Sequence, residues 1–144
     1  MKKLFMLLFA VYVLLSCNKN DDKPLRYFEV VTNTSAADWR DTAFIIATGN
    51  PALLRQVEAQ LLLPAEQRKL VSGALVAGSG GYNRNGSHEF KWHFREDDWE
   101  LTDFTAEIFD GRPYTDLDLN TSYWLDTMKR FGPWSSYISR ELER

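Results

Sequence analysis

Two histidines, one cysteine and several clustered carboxylates are the residues of this 144-residue chain whose types suit catalysis or metal binding. His88 and His93 lie in a stretch where Phe90, Trp92 and Phe94 alternate with Lys91, His93 and Arg95, the pattern of a half-buried strand. Their odd spacing sends the two rings to opposite faces, so they do not share one metal. His93 is of the right type for a general base, with Glu107 and Asp110 as the acids to assist it, but no Gly-x-Ser-x-Gly elbow accompanies them. Gly78-Ser79-Gly80-Gly81 has the composition of a phosphate cradle. No P-loop lysine follows, and Asn83 stands where a dinucleotide loop has its last glycine, so a tight turn is expected. Asp116, Asp118, Asn120 and Ser122 alternate as a calcium loop begins, yet Thr121 replaces its glycine and Thr127 its closing glutamate. Acidic residues there suit a helix start. Glu96-Asp97-Asp98 with Glu100 reads as a solvated hairpin tip, and no metal or cofactor is expected.

Cys17, the sole thiol, closes a segment with a basic start at Lys2 and Lys3, an apolar run from Leu4 to Leu15 and a small Ser16. This is the pattern of a secretory signal too short to span a bilayer. Leu14-Leu15-Ser16-Cys17 resembles the lipobox of bacterial lipoproteins, whose cysteine is diacylated, freed by cleavage and acylated again at its new amine. At about 0.8 kcal/mol per buried methylene one chain holds marginally, whereas several chains on Cys17 would anchor the protein in a membrane stably. Residues 18–24 are polar and end in Pro24, as a solvated tether does. Lys19 with Asp21-Asp22 resembles an export tag that sends some Gram-negative lipoproteins to the outer face of the outer membrane; a periplasm-facing orientation is the alternative. The expected organisation is a cleaved signal over 1–16, a lipidated cysteine and tether over 17–26, and one globular domain over 27–144.

Loss of Lys2 and Lys3 would leave 15 basic against 20 acidic side chains, a net charge of −5. That balance argues against nucleic acid and against electrostatic adhesion to anionic lipid. With Cys17 acylated no disulfide is available, so packing of the 17 aromatics after it must hold the domain.

Tyr27 to Val31 and Ala43 to Ala47 read as strands, the second central because it lacks a polar face. Asn50-Pro51 opens a helix that runs to about Leu62 with Leu53, Leu54, Val57 and Leu61 on one face. A strand from Leu70 to Ala77, the aromatic strand through Phe94, a turn at Glu96-Asp97-Asp98 and a return strand from Trp99 to Phe109 follow, with Phe104, Ala106 and Ile108 in phase. Asp110-Gly111-Arg112-Pro113 then turns the chain into an amphipathic helix from about Asp118, with Trp124, Leu125, Met128 and Phe131 on its apolar side and Gly132-Pro133 at its end. Trp134 to Leu142 fits either a short helix or an edge strand. The expected class is α+β, an antiparallel sheet of about five strands with two helices packed on it.

Four segments, in order, carry a family resemblance: residues 73–78 with Gly81-Tyr82-Asn83; Trp92-His93-Phe94; residues 107–113; and Trp124 followed by Phe131-Gly132-Pro133-Trp134-Ser135. Together they resemble the N-terminal domain of the slime-mould calmodulin-binding protein family, which has exported bacterial members. Bacterial members often carry cysteine where this chain has Phe109 and Gly132, which implies a disulfide in them that this chain lacks. Calmodulin targets are basic amphipathic helices, and the last helix here carries Asp118 and Asp126 beside Lys129 and Arg130, so calmodulin is not an expected partner. The resemblance directs attention to Gly81, Tyr82, Asn83, Trp92, His93, Asp110, Arg112 and Trp134 as a binding surface at one end of the sheet. Trp39, Trp99 and Trp134 fall near strand ends or loops, where an exposed ring stacks on a sugar or anchors a protein. The expected function is a membrane-anchored, non-catalytic binding module for a protein or glycan. A hydrolase centred on His93 and a structural envelope protein without ligand are the alternatives.

Overall fold

The computed structural model describes residues 23–32, 35–104 and 111–144. Strand β1 (Arg26–Thr32) alternates as its sequence dictates, burying Phe28, Val30 and Thr32 on one face. It pairs antiparallel with β2 (Ala43–Thr48), setting Phe28 opposite Ile46 and Val30 opposite Phe44. Every residue of β2 from Phe44 to Thr48 is buried, as its unbroken apolar run requires. Helix α1 (Pro51–Leu61) starts where expected: Asn50 accepts the Ala52 N–H at 2.9 Å, a cap that contributes about 1 kcal/mol, and Leu53 and Val57 face the core.

Strand β3 (Leu70–Ala77) leads through the two-residue strands β4 (Arg84–Asn85) and β5 (His88–Glu89) into β6 (Trp92–Thr102), its antiparallel partner. Here the structure departs from the expected hairpin at Glu96-Asp97-Asp98. Gly73 lies opposite Trp99 and Leu75 opposite Phe94, so two steps on β3 are matched by five on β6. Residues 95–98 therefore swing out as a bulge, with Arg95, Asp97 and Asp98 exposed and Glu96 half-buried against the Tyr82 hydroxyl, while the strand keeps its direction and returns Trp99 to the core. Gly73 makes this possible, because a Cβ there would fall 2.4 Å from the Phe94 ring. Phe104, placed in phase with a return strand, is exposed, and Ala106, Ile108 and Phe109 lie outside the described residues.

The second helical element, α2, covers residues 113–128 and begins at Pro113 instead of Asp118. Wide turns at Pro113–Leu117 and Trp124–Met128 flank a tight turn at Asp118–Asn120 and one α turn at Thr121–Tyr123. Lys129, at φ 63°, ends it: its N–H donates to Trp124 O at 2.6 Å and its carbonyl accepts the Leu75 N–H. Phe131, expected on the helix, enters the core from strand β7 (Arg130–Phe131), opposite Gly73. The undecided tail is strand β8 (Ser136–Leu142), which pairs with β1.

The α+β class holds, but the strands form two three-stranded antiparallel sheets, β2-β1-β8 and β6-β3-β7, and a β4-β5 ribbon, in place of one five-stranded sheet. The reason is Asn83. Its fully buried amide sits between β2 and β6, accepting the Ile45 N–H at 2.9 Å and donating to Trp92 O at 2.8 Å. The two edges thus meet through a side chain rather than through a backbone ladder, and the Trp99 indole adds a second link to Ala47 O at 2.9 Å. Across this seam Phe44 packs on Trp92, Phe94 and Phe131 with centroids 5.3, 5.5 and 6.1 Å apart, the spacing of tilted and edge-on aromatic pairs. Among the described residues no helix is long and apolar enough to cross a membrane.

Candidate functional site

Strand β1 gives the domain two ends. At the Thr32 end the loop before β2 carries Asp38-Trp39-Arg40-Asp41. Asp38 caps a short turn: one oxygen accepts the Arg40 N–H and its Nε, both at 2.9 Å, and the other accepts Nη2 at 2.6 Å. The guanidinium, helped by that backbone N–H, holds the Asp38 carboxyl down at about 2. Arg40 in turn lies 3.6 Å from the Tyr114 ring centroid, a cation–π contact.

The adjacent Asp41 is buried and accepts the N–H groups of Tyr114 and Thr115, each at 2.8 Å, together with the Thr115 hydroxyl. It therefore satisfies the free donors at the start of α2 from a distant loop. Asp118, also buried, accepts the Lys91 N–H at 2.7 Å and His88 Nε2–H at 3.1 Å, while the His88 ring meets the edges of Phe90 and Tyr114 at 5.0 Å. Asp116 accepts the Arg112 N–H at 2.8 Å. The alternating acids of the calcium-like run thus face three different partners, and among the described residues no three His, Cys, Asp or Glu converge as a metal site.

This polar framework presents two exposed indoles. Trp39 is 52 % exposed although its backbone is pinned, its carbonyl accepting Thr42 N–H, the Thr42 hydroxyl and Asn85 Nδ2 at 3.2, 2.7 and 2.8 Å. Its ring rests on Gly86, where a Cβ would lie 3.3 Å from Cζ3. Trp134 is 55 % exposed at the start of β8, beside Gly111, whose Cα carries no side chain to strike Pro133. Arg112 next to it is half-buried.

The Arg26 end holds the other expected residues. Gly81 is exposed and its carbonyl accepts Arg144 Nη1 at 3.4 Å. Tyr82 is buried, its ring against Tyr27 and His93 at 5.4 and 5.6 Å and its hydroxyl 3.1 Å from both Phe94 O and Glu96 Oε1. Burial, with Glu96 alongside, pushes its phenol well above the ordinary range. His93 is buried beneath the same turn, its Nδ1–H donating to Gly78 O at 2.6 Å and Nε2 lying 3.7 Å from Glu96. Gly80, at φ 64°, leaves room for both rings. A groove of about 490 Å³ beside Tyr27 is lined by Arg26 and Glu141, which are ion-paired to each other.

The expected surface therefore divides. Gly81, Tyr82 and His93 stand near Leu142 at one end of β8, and Arg112 and Trp134 near Ser136 at the other, roughly 20 Å away at strand rise. Tyr82, Asn83, Trp92 and His93 lie under the surface because their polar atoms serve the seam and the turn, Trp92 Nε1 donating to Pro113 O at 3.3 Å. Asp110, Glu107 and Cys17 lie outside the described residues. Absent from the sequence-based expectation is the Asp38, Arg40, Asp41 and Tyr114 cluster; its one local signal is an Asp N-cap beside a tryptophan in the polar stretch before β2.

Two antiparallel sheets joined through a buried asparagine, with a short helix and an irregular one, define a small α+β domain without a convergent catalytic constellation among its described residues. The model of the BP-74 N-terminal domain family matches residues 25–144, and the chain belongs to that family. No curated protein and no solved structure matches it.

Proposed function

We propose that this protein is an exported lipoprotein, anchored through acyl chains on Cys17, whose domain is a non-catalytic binding module presenting its Thr32 end to the surroundings. The observation that carries this is the polarity of the fold. The chain enters at Leu25 and Arg26, and the half-exposed Trp39 and Trp134 stand at the opposite end of a seven-residue strand, about 20 Å along. An anchor on the N-terminal side holds the Arg26 end toward the membrane and leaves the indoles facing away. His93 supports the non-catalytic reading, since its Nδ1 is held by a carbonyl and its ring is covered by Tyr82.

Cys17→Ala tests the anchor: the variant is expected in the soluble fraction, and continued sedimentation with membranes refutes it. Accessibility of the intact-cell protein to added protease distinguishes surface display from the periplasm-facing alternative. For binding, a benzoylphenylalanine in place of Trp39 or Trp134 is expected to crosslink an envelope component on intact cells, and the same group in place of Glu143, at the Arg26 end, is not. Equal crosslinking from all three positions refutes a preferred surface.

A further inference from the structure

The groove of about 490 Å³ at the Arg26 end has the size of a small-ligand site and an apolar lining of Leu25, Tyr27 and Leu142. Arg26 beside it is fully answered: Nε and Nη2 donate to the two oxygens of Glu141 at 2.7 and 2.8 Å, and Nη1 donates to Glu58 at 2.7 Å. Glu143 and Arg144 complete the lining, and among the described residues neither has an ionic partner. Arg144 is nonetheless held in place. Its guanidinium lies 5.0 Å from the Tyr27 ring centroid, while Nη1 and Nη2 donate to Gly81 O at 3.4 Å and Tyr82 O at 3.0 Å. Of the five N–H groups of a guanidinium, three are left for an acceptor, and that fork suits a phosphate. The groove thus offers a fixed cation, a free carboxylate and an apolar lining. A purely anionic ligand would meet Glu143 beside Arg144, and a purely cationic one would meet Arg144. A ligand carrying both a phosphate and an ammonium answers both charges.

Position identifies the source. Leu25 is eight residues from Cys17, at most about 28 Å along an extended chain and about 16 Å along a relaxed polar one. With Cys17 acylated, lipid headgroups are the phosphates this groove meets most often. Tethering holds them at an effective concentration in the millimolar range, so a weak site is enough.

We infer that this groove seats the headgroup of a zwitterionic phosphoethanolamine lipid, with the phosphate on Arg144 and the ammonium at Glu143. This rests on the Cys17 anchor of the reading above and leaves the Thr32 end free. A benzoylphenylalanine at position 143 deletes the ammonium's partner and with it the seat, so that position remains a silent control. The test titrates the full chain, in an uncharged, phosphate-free detergent, with glycerophosphoethanolamine, following the amide NMR signals of residues 25–27 and 141–144. Saturable shifts confined to those residues are expected. Arg144→Gln and Glu143→Gln, both at exposed side chains, each weaken binding by about threefold or more with unchanged far-ultraviolet circular dichroism. Glycerol 3-phosphate and ethanolamine, each with only one of the two groups, bind more weakly by a similar factor. Absence of shifts, or shifts indifferent to both variants, overturns the inference. So does glycerol 3-phosphate binding as tightly as glycerophosphoethanolamine, which would mark a simple phosphate site. Fractionation of Cys17→Ala keeps the two readings apart. Release of that variant with a silent groove removes the headgroup inference alone, whereas continued sedimentation with a groove that binds leaves the headgroup site standing without its anchor.

Discussion

Asn83→Ala should cost more stability than any surface change of its size. The amide is fully buried and bonds both edge strands, through Ile45 N–H at 2.9 Å and Trp92 O at 2.8 Å. Truncation leaves one donor and one acceptor buried without partners, at about 1 to 3 kcal/mol each, hence about 4 kcal/mol in total. Against a whole-domain stability of about 5 to 15 kcal/mol this is a large fraction. Urea unfolding followed by tryptophan fluorescence reads it directly: with a slope of about 2 kcal/mol/M, the midpoint falls by about 2 M. Asn83→Asp adds a sign test. The carboxylate can still accept from Ile45 but faces the Trp92 carbonyl, so burial raises its pKa in the fold above the unfolded value of about 3.9. The protonated acid regains a donor, and stability lost at pH 7 should return as pH falls toward about 5. A midpoint shift below about 0.5 M for Asn83→Ala, or an aspartate variant whose loss does not shrink on acidification, would refute the seam argument.

Gly73→Ala places a Cβ 2.4 Å from the Phe94 ring and should cost about 1 to 3 kcal/mol; combined with Phe94→Leu the loss should be less than additive, and full additivity would mean the two do not touch. Asp41→Ala removes three hydrogen bonds from the start of α2 and should cost about 2 to 3 kcal/mol, with faster hydrogen exchange at the Tyr114 and Thr115 amides; unchanged protection there contradicts the cap. The Asp38 carboxyl, lowered to about 2 by Arg40, should be followed by carboxyl NMR. Its contribution is complete above the unfolded pKa of about 3.9 and is lost as pH falls through about 2; Arg40→Gln should move the midpoint back up, and a midpoint indifferent to that change refutes the pairing.

What the sequence by itself determined here is local. β1 and β2 follow from apolar and β-branched runs, and α1 from Asn50-Pro51 and a helical apolar face. These signals act between neighbours along the chain and do not depend on the rest of the fold. The four family segments likewise found their counterpart in the family match over residues 25–144. The tertiary structure decided whatever depended on partners distant in sequence. The acidic run at residues 96–98 has turn composition, but β3 runs past it and offers Gly73 and Leu75 as pairing sites, so it becomes a bulge. Phe131 keeps helical phase with Trp124, yet strand pairing with Gly73 takes it off the helix. Asn83 and Tyr82 look like loop residues until their partners, 38 residues and 12 residues away, draw them inward. Asp41 gives no sign in sequence of capping a helix 73 residues on. Burial is a property of what packs over a residue, which residue type and spacing alone do not encode. For that reason the aromatic motifs marked the core, and the exposed indoles were separated from the buried ones only by the fold.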